Sequence, residues 1–276
     1  MNKDIVVIRG GGDIATGTIH KLHRCGFKVV ILEIEKPSAI RRTVCFSEAI
    51  YEDKIRVEDV ICEKANNLEE VYTILDRNNI PVIIDPFGKY IGKLKPLAVI
   101  DAILAKKNLG TTKDMAQITI GLGPGFCAGE DVHMVIETMR GHNLGRIIEK
   151  GYAMANTGIP GAVNGVSKER VIYSSISGTI SNVKEIGDIV KKGEVIAKIS
   201  NEDNITEVKA TIDGVLRGII RHKSKIKKGL KIADIDPRVD EVGNSYTISD
   251  KARTIAGGVL EALLYMKQKQ KYLNYN

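Results

Sequence analysis

The 276 residues contain no tryptophan, and aromatics make up only 5% of the chain. No basic patch is interleaved with aromatic residues, so nucleic acid is not an expected partner. Cysteine is scarce as well. Cys25, Cys45, Cys62 and Cys127 show no C-x-x-C spacing, and neither a signal-peptide pattern nor a long apolar run occurs. A cytoplasmic protein with reduced thiols and no membrane span is the expectation. Charge of one sign is also lacking: Lys+Arg 41 less Asp+Glu 34 leaves +7. So mild a basic excess favours anionic ligands or acidic partners, beside the plainer reading of a solvated basic surface. What remains is ordinary globular composition, 43% hydrophobic, at a length that fits one large or two modest domains.

The N-terminal pattern is strand, glycine turn, helix, strand, acid. Ile5-Val6-Val7-Ile8 is a continuous apolar run, as in a strand buried on both faces of a parallel sheet. Gly10, Gly11, Gly12, Asp13 and Ala15 follow, roughly matching G-x-G-x-x-G/A, then an amphipathic stretch from Ile19 to Cys25. Val29 to Leu32 reads as a second strand ending at Glu33, whose carboxylate is spaced to hydrogen-bond a ribose. Asp13 departs from the pattern, since a carboxylate in a phosphate turn repels an anion unless it points away. Arg41 and Arg42 follow at the carboxyl edge of this sheet, either clamping a phosphate or solvated. A helix is expected over 68–78, a strand over 81–84 with Asp85 at its tip, and another helix over 97–106. Alternation of strands and helices predicts a Rossmann-like α/β sheet domain over 1–168.

The densest chemistry lies between Gln117 and Arg146. Ile118 and Ile120 read as a short strand entering a turn with Gly121, Gly123 and Gly125. Cys127, Asp131 and His133 follow, and the spacing of Val132, Ile136 and Met139 predicts a helix. A glycine turn before a helix start offers unpaired N–H groups to an anion, with Arg140 and His142 as further donors. Cys127 near a helix start is a candidate nucleophile, while Asp131 and His133 would serve as acid and base if the chain were a nicotinamide-dependent oxidoreductase. The plainer readings are a tight turn with its polar groups in water and a small buried thiol. Alternate spacing of Asp131 and His133 is too weak a signal to assign metal ligands, and none are assigned.

From about 171 to 236 the pattern changes. Gly178 to Ala197 and Asp213 to Ala233 repeat a scheme of G-x-[VIL] strand, charged turn and K-K-G followed by an apolar strand. This segment, bounded at 169–237, resembles a biotinyl/lipoyl-type β-barrel-sandwich, and Asp203 occupies the place of the carrier lysine, so no attached group is expected. Asn156 to Gly161 precedes it as a glycine-proline turn. Over 238–276, Ser249 looks like an N-cap for a helix over 251–267 that returns to the α/β body, despite Gly257-Gly258 in its middle.

Taken together, VIRGGGDIATGTIHKL, DPFG, GLGPGF-x-AGEDVH, ETMRGHNLGR, NTGIPG and SYTISDKARTIAGGVLEAL resemble the accessory proteins of selenium-dependent molybdenum hydroxylases. The N-terminal half is distantly similar to the accessory family that matures xanthine dehydrogenase. The resemblance implies maturation of a molybdenum hydroxylase apo-enzyme by binding, modifying or inserting a molybdopterin-type cofactor or its selenium. It assigns no catalytic residue. The alternative is an NAD(P)-dependent oxidoreductase built on the N-terminal turn. A homo-oligomer is compatible with either.

Overall fold

The structure is a computed structural model describing residues 2–155, 158, 164–202 and 204–273, with side chains placed from residue 5 to 269. Two compact units emerge, the first of residues 1–37, 45–156 and 248–276, the second of 38–44 and 157–247.

In the first unit the chain runs through β1 (Asn2–Arg9), α1 (Asp13–Arg24), β2 (Lys28–Glu33), α2 (Ala49–Glu52), β3 (Lys54–Val57) and β4 (Val60–Ala65). It continues through α3 (Leu68–Asp76), β5 (Ile80–Ile84), α4 (Ile91–Leu94), β6 (Pro96–Asp101), β7 (Ile118–Leu122) and β8 (Cys127–Ala128). β9 (Met134–Ile136), β10 (Ile147–Ile148) and β11 (Gly151–Tyr152) complete its strands. The main sheet has the order β10-β9-β7-β6-β1-β2-β5-β4-β3, with β8 and β11 paired apart from it. β1 is central because Ile5, Val6, Val7 and Ile8 have no exposed surface and both faces must be covered. It pairs in parallel with β2 (Val7 opposite Val30) and β6 (Val7 opposite Val99). The β1–α1–β2 and β4–α3–β5 crossovers run in opposite directions across the sheet, so right-handedness sends α1 and α3 to opposite faces. α3 and α4 cover Ile5, Val7, Val30 and Leu32.

The second unit holds β12 (Val171–Tyr173), β13 (Gly178–Asn182), β14 (Ile189–Val190), β15 (Val195–Ser200) and β16 (Ile205–Lys209). β17 (Gly214–Ile219), β18 (Lys225–Ile226) and β19 (Lys231–Asp236) follow. They form two four-stranded antiparallel sheets, β12-β19-β17-β14 and β16-β15-β13-β18. One core joins them: Ile180, Ile196 and Ile199 from one sheet meet Leu216, Ile219 and Ile235 from the other. The repeat has a topological meaning here. The first half lends β14 to the sheet of β17 and β19, and the second lends β18 to the sheet of β13 and β15. The chain then returns to the first unit as α5 (Asp250–Leu273), which packs along α1. Ser249 Oγ caps it by accepting the Ala252 N–H at 3.2 Å.

The expected pairing of a Rossmann-like parallel domain with a biotinyl/lipoyl-type barrel is corrected by these sheets. The large sheet is mixed, with β3 and β10 antiparallel to their neighbours at its two edges. No helix of ordinary length connects β6, β7 and β9 among the described residues, whereas a doubly wound fold needs one at each crossover. The second unit is a pair of open antiparallel sheets instead of a closed barrel. The helix expected over 97–106 is β6 and a loop, and the helix expected from Val132 is β9. Both errors have one cause. Strands buried on both faces, as Leu97–Asp101 and Met134–Ile136 are, lose the two-residue alternation and mimic helical spacing. Asp203, Asn156, Thr157 and residues 159–161 lie outside the described residues.

Candidate functional site

The carboxyl end of β1 is built from charge and glycine. Arg9 is buried and donates to Pro86 O at 3.1 Å and to Thr111 Oγ1, and its guanidinium lies 3.6 Å from Asp101. This buried set fixes the ends of β1 and β6. Gly10 then turns the chain with φ +94°, its N–H donating to Leu32 O. Gly11 packs so closely on Ser47 that an added Cβ would lie 2.9 Å from the Ser47 nitrogen. Gly12 is the N-cap of α1 and has no side chain to offer the first turn, while the space beside its Cα is open. Ala15 is buried within α1.

Glu33 does a different job from the one its spacing suggested. Its Oε2 accepts the Gly11 N–H and its Oε1 the Ile34 N–H, both at 2.8 Å. Burial raises its pKa, opposed by those hydrogen bonds from Ile34 and Gly11. The carboxylate therefore clamps the glycine turn through both oxygens, each of which keeps a second lone pair. Replacing Glu33 with Gln leaves one N–H facing an NH2 group. The expected loss is about 1–3 kcal/mol in urea unfolding; an unchanged midpoint would refute the clamp.

Over this turn comes a cluster from distant parts of the chain. Arg140 makes a bidentate pair with Asp250, 2.9 and 3.1 Å, which raises the arginine pKa. Glu137 is buried, with Oε1 accepting the Thr138 and Met139 N–H groups at 2.7 Å and Oε2 the Met154 N–H at 2.8 Å. Lys251, in the first turn of α5, makes no hydrogen bond or ion pair with any described residue. Burial lowers its pKa, as does Arg140, while Asp13, Glu137 and Asp250 pull the other way. Asp13 thus turns its charge toward Arg140 and Lys251. Two cations here stand beside three carboxylates. A ligand with hydrogen-bond donors at one end and an anion at the other suits this cluster.

The glycines of the second turn are spent on packing. A Cβ on Gly121 would strike the Phe126 ring at 2.6 Å, on Gly123 the Thr138 hydroxyl at 2.6 Å, and on Gly125 the Lys107 backbone at 2.7 Å. Cys127, 6% exposed, opens β8, and its N–H donates to Asp131 Oδ2 at 2.8 Å. Tyr152 is paired with it across β8 and β11, and the neighbouring thiol raises the tyrosine pKa. His133 Nδ1 accepts the Thr119 N–H at 3.1 Å and lies 2.8 Å from Thr119 Oγ1. With Nδ1 an acceptor, the neutral ring carries its proton on Nε2, and burial followed by the charge of Lys113 lowers its pKa. Cys127, Asp131 and His133 therefore do not form one acid–base relay. Alkylation of the native chain is expected to modify exposed Cys25 quickly and Cys127 slowly, with Tyr152→Ala speeding the latter. Peptide mass mapping in which Cys127 reacts first would contradict this.

Asp85, Arg41 and Arg42 are used within the fold, and His142 is not. Asp85 holds the turn ahead of α4, accepting the Lys89 and Tyr90 N–H groups at 2.9 and 2.8 Å. His142 is exposed in a turn. Arg41 belongs to the second unit, where its buried guanidinium donates to Asn244 O and Thr247 O at 2.8 and 2.9 Å, and Arg42 donates to Ile219 O. Neither arginine is solvated. Sequence reasoning missed Glu137 and Lys251, although both stand in motifs that carried the resemblance.

No family model matches the chain. It is 48% identical over 262 residues to the uncharacterized protein YqeB of Escherichia coli (strain K12), an alignment covering 95% of this chain. The chain is similar to YqeB. It spans about half the length of that protein, 48%. The YqeB match covers both units described above, since only about one-twentieth of the chain falls outside it. Among solved structures, a succinylglutamate desuccinylase/aspartoacylase from Rhodobacter sphaeroides aligns over 85% of each chain at 12% identity and TM-score 0.28. The ectoine utilization protein EutE (DoeB) from Ruegeria pomeroyi aligns over 85% of this chain and 86% of its own, at 10% identity and TM-score 0.24. Likeness at that level carries no argument beside YqeB. No helix among the described residues is long and apolar enough to cross a membrane.

Proposed function

We propose that the chain is an accessory protein that matures a selenium-dependent molybdenum hydroxylase by holding a molybdopterin-type cofactor at the β1–α1 turn. The observation that carries this reading is Lys251, a half-buried lysine without a partner, beside the uncapped start of α1. A buried unpartnered cation costs stability and is kept where a ligand supplies its counter-charge. Molybdopterin has a phosphate for Lys251 and the α1 N–H groups, and a pterin donor edge for a carboxylate such as Asp13. The fit is local. The Gly121–Gly125 turn, filled by Phe126, Thr138 and Lys107, adds no room for the cofactor. The chain's own residues bind and orient; the bound group would supply its own redox chemistry, and delivery goes to the apo-hydroxylase.

The experiment is to purify the full chain from a molybdenum- and selenium-replete host, denature it, and identify released small molecules by mass spectrometry. Molybdopterin or its nucleotide is expected from the native chain and is expected to be lost from Lys251→Met. Release of NAD(P) instead would favour the oxidoreductase reading, and a clean native protein that also fails to take up added cofactor would defeat the proposal.

A further inference from the structure

His20, one turn before the end of α1, is buried in a charged environment that the proposed function does not use. Its Nε2 lies 2.8 Å from Asp59 Oδ1 and 3.5 Å from Glu58 Oε2, and the three atoms all fall within 4.8 Å of one another. With metal–ligand bonds of about 2.0–2.2 Å, the corners of a tetrahedron stand about 3.4 Å apart. The observed separations bracket that edge, so small side-chain movements suffice to seat an ion.

The surroundings orient these groups. Glu58 and Asp59 are the two residues between β3 and β4, and Glu58 has φ +53°, a conformation that favours Gly or Asn over Glu. Glu58 Oε1 accepts the Ile248 N–H at 2.9 Å and Arg253 Nη2 at 2.6 Å, which directs Oε2 toward His20. Carboxylates that ligate metals are commonly held in this way through their other oxygen. Asp59 is 59% exposed and gives an ion access from solvent. The plainer alternative is an ion pair between protonated His20 and the two acids. Arg253 and Arg24, the latter 3.8 Å from Asp59, oppose a cation and set the affinity low, on the order of 1 µM.

We propose that His20, Glu58 and Asp59 bind a divalent first-row transition metal of the zinc class, leaving a fourth position for water. One imidazole with two carboxylates suits zinc over magnesium or calcium, which take oxygen donors. The ion would join α1, the β3–β4 hairpin and the start of α5, all within the first unit.

The test uses the untagged full chain stripped with chelator. Zinc titrated by calorimetry is expected to bind at one site per chain, cobalt to give visible absorption of a nitrogen- and oxygen-ligated ion, and magnesium to do neither. At a hundredfold excess of zinc over Kd, the folded-to-unfolded ratio should rise about 100-fold. Asp59→Asn, at an exposed position, should weaken zinc at least tenfold while the chain stays folded. His20→Gln should abolish binding if it folds; Asp59→Asn decides the matter if it does not. Absence of zinc binding at 100 µM, or binding that Asp59→Asn leaves unchanged, would overturn the site and leave the ion pair.

Discussion

Gly258→Ala is expected to destabilise the first unit by about 3–5 kcal/mol, whereas Gly257→Ala, one residue away in the same helix, should raise stability by up to about 1 kcal/mol. A Cβ on Gly258 would stand 2.0 Å from the Gly145 carbonyl oxygen and 3.2 Å from Ile136 Cγ2. The first of these is backbone and has no rotamer to escape into. Gly145 itself has φ +81°, and a Cβ there would meet Thr254 O at 2.8 Å. Its N–H is tied to Glu137 O at 2.9 Å, so the loop cannot simply retreat without releasing the carboxylate cluster. Nor can α5 slide the other way, because a Cβ on Gly17 would already lie 2.8 Å from Ala252. At Gly257 nothing lies within 4 Å, and only the helix-propensity gain remains. Urea midpoints followed by far-ultraviolet circular dichroism check the contrast. Equal effects of the two substitutions would show that α5 does not rest on the 141–146 loop.

The second large effect is expected at Lys251, where binding and stability should move in opposite directions. Methionine keeps the length of the side chain and removes its charge. Retention of the anionic ligand should fall at least 100-fold, since the charge-assisted contact is worth about 3 kcal/mol in a partly buried site. The ligand-free variant should be as stable as the parent or more so, because the parent keeps an ammonium half-buried without a partner. The pH dependence gives the sign. The lysine pKa is lowered in the folded chain from 10.5, so the unfolded chain holds this proton more tightly. Stability of the parent relative to Lys251→Met should therefore rise with pH through the alkaline window below 10.5. A variant that loses stability and keeps the ligand would remove Lys251 from the site.

Local elements were readable where burial is one-sided or where turn chemistry is unambiguous. β1, β2 and the intervening helix follow from the apolar run 5–8, the glycines and Gly26, and α3 from its amphipathic face. β6 and β9 were not, since a strand covered on both faces carries no alternation. The glycines at 121, 123 and 125 show a subtler limit. A glycine kept to admit a ligand and one kept to admit Phe126 or Thr138 look alike until the neighbours are known. Asp13 and Lys251 lie 238 positions apart, and Arg140 reaches Asp250 across 110. Their convergence depends on α5 lying along α1, which local pattern does not encode.

The exchange of β14 and β18 between the two halves of the second unit bears on how that unit is assembled. Each half is an incomplete sheet that the other finishes, as in two protomers that trade a strand and are then joined head to tail. Neither half has a stable state of its own, so the unit should melt in a single step with no half-ordered species. Amide protons in β14 should exchange at the pace of β17 and β19, their partners in space, and not at the pace of β13 and β15, their neighbours in the chain. A fragment carrying one repeat alone should pair with a second copy of itself.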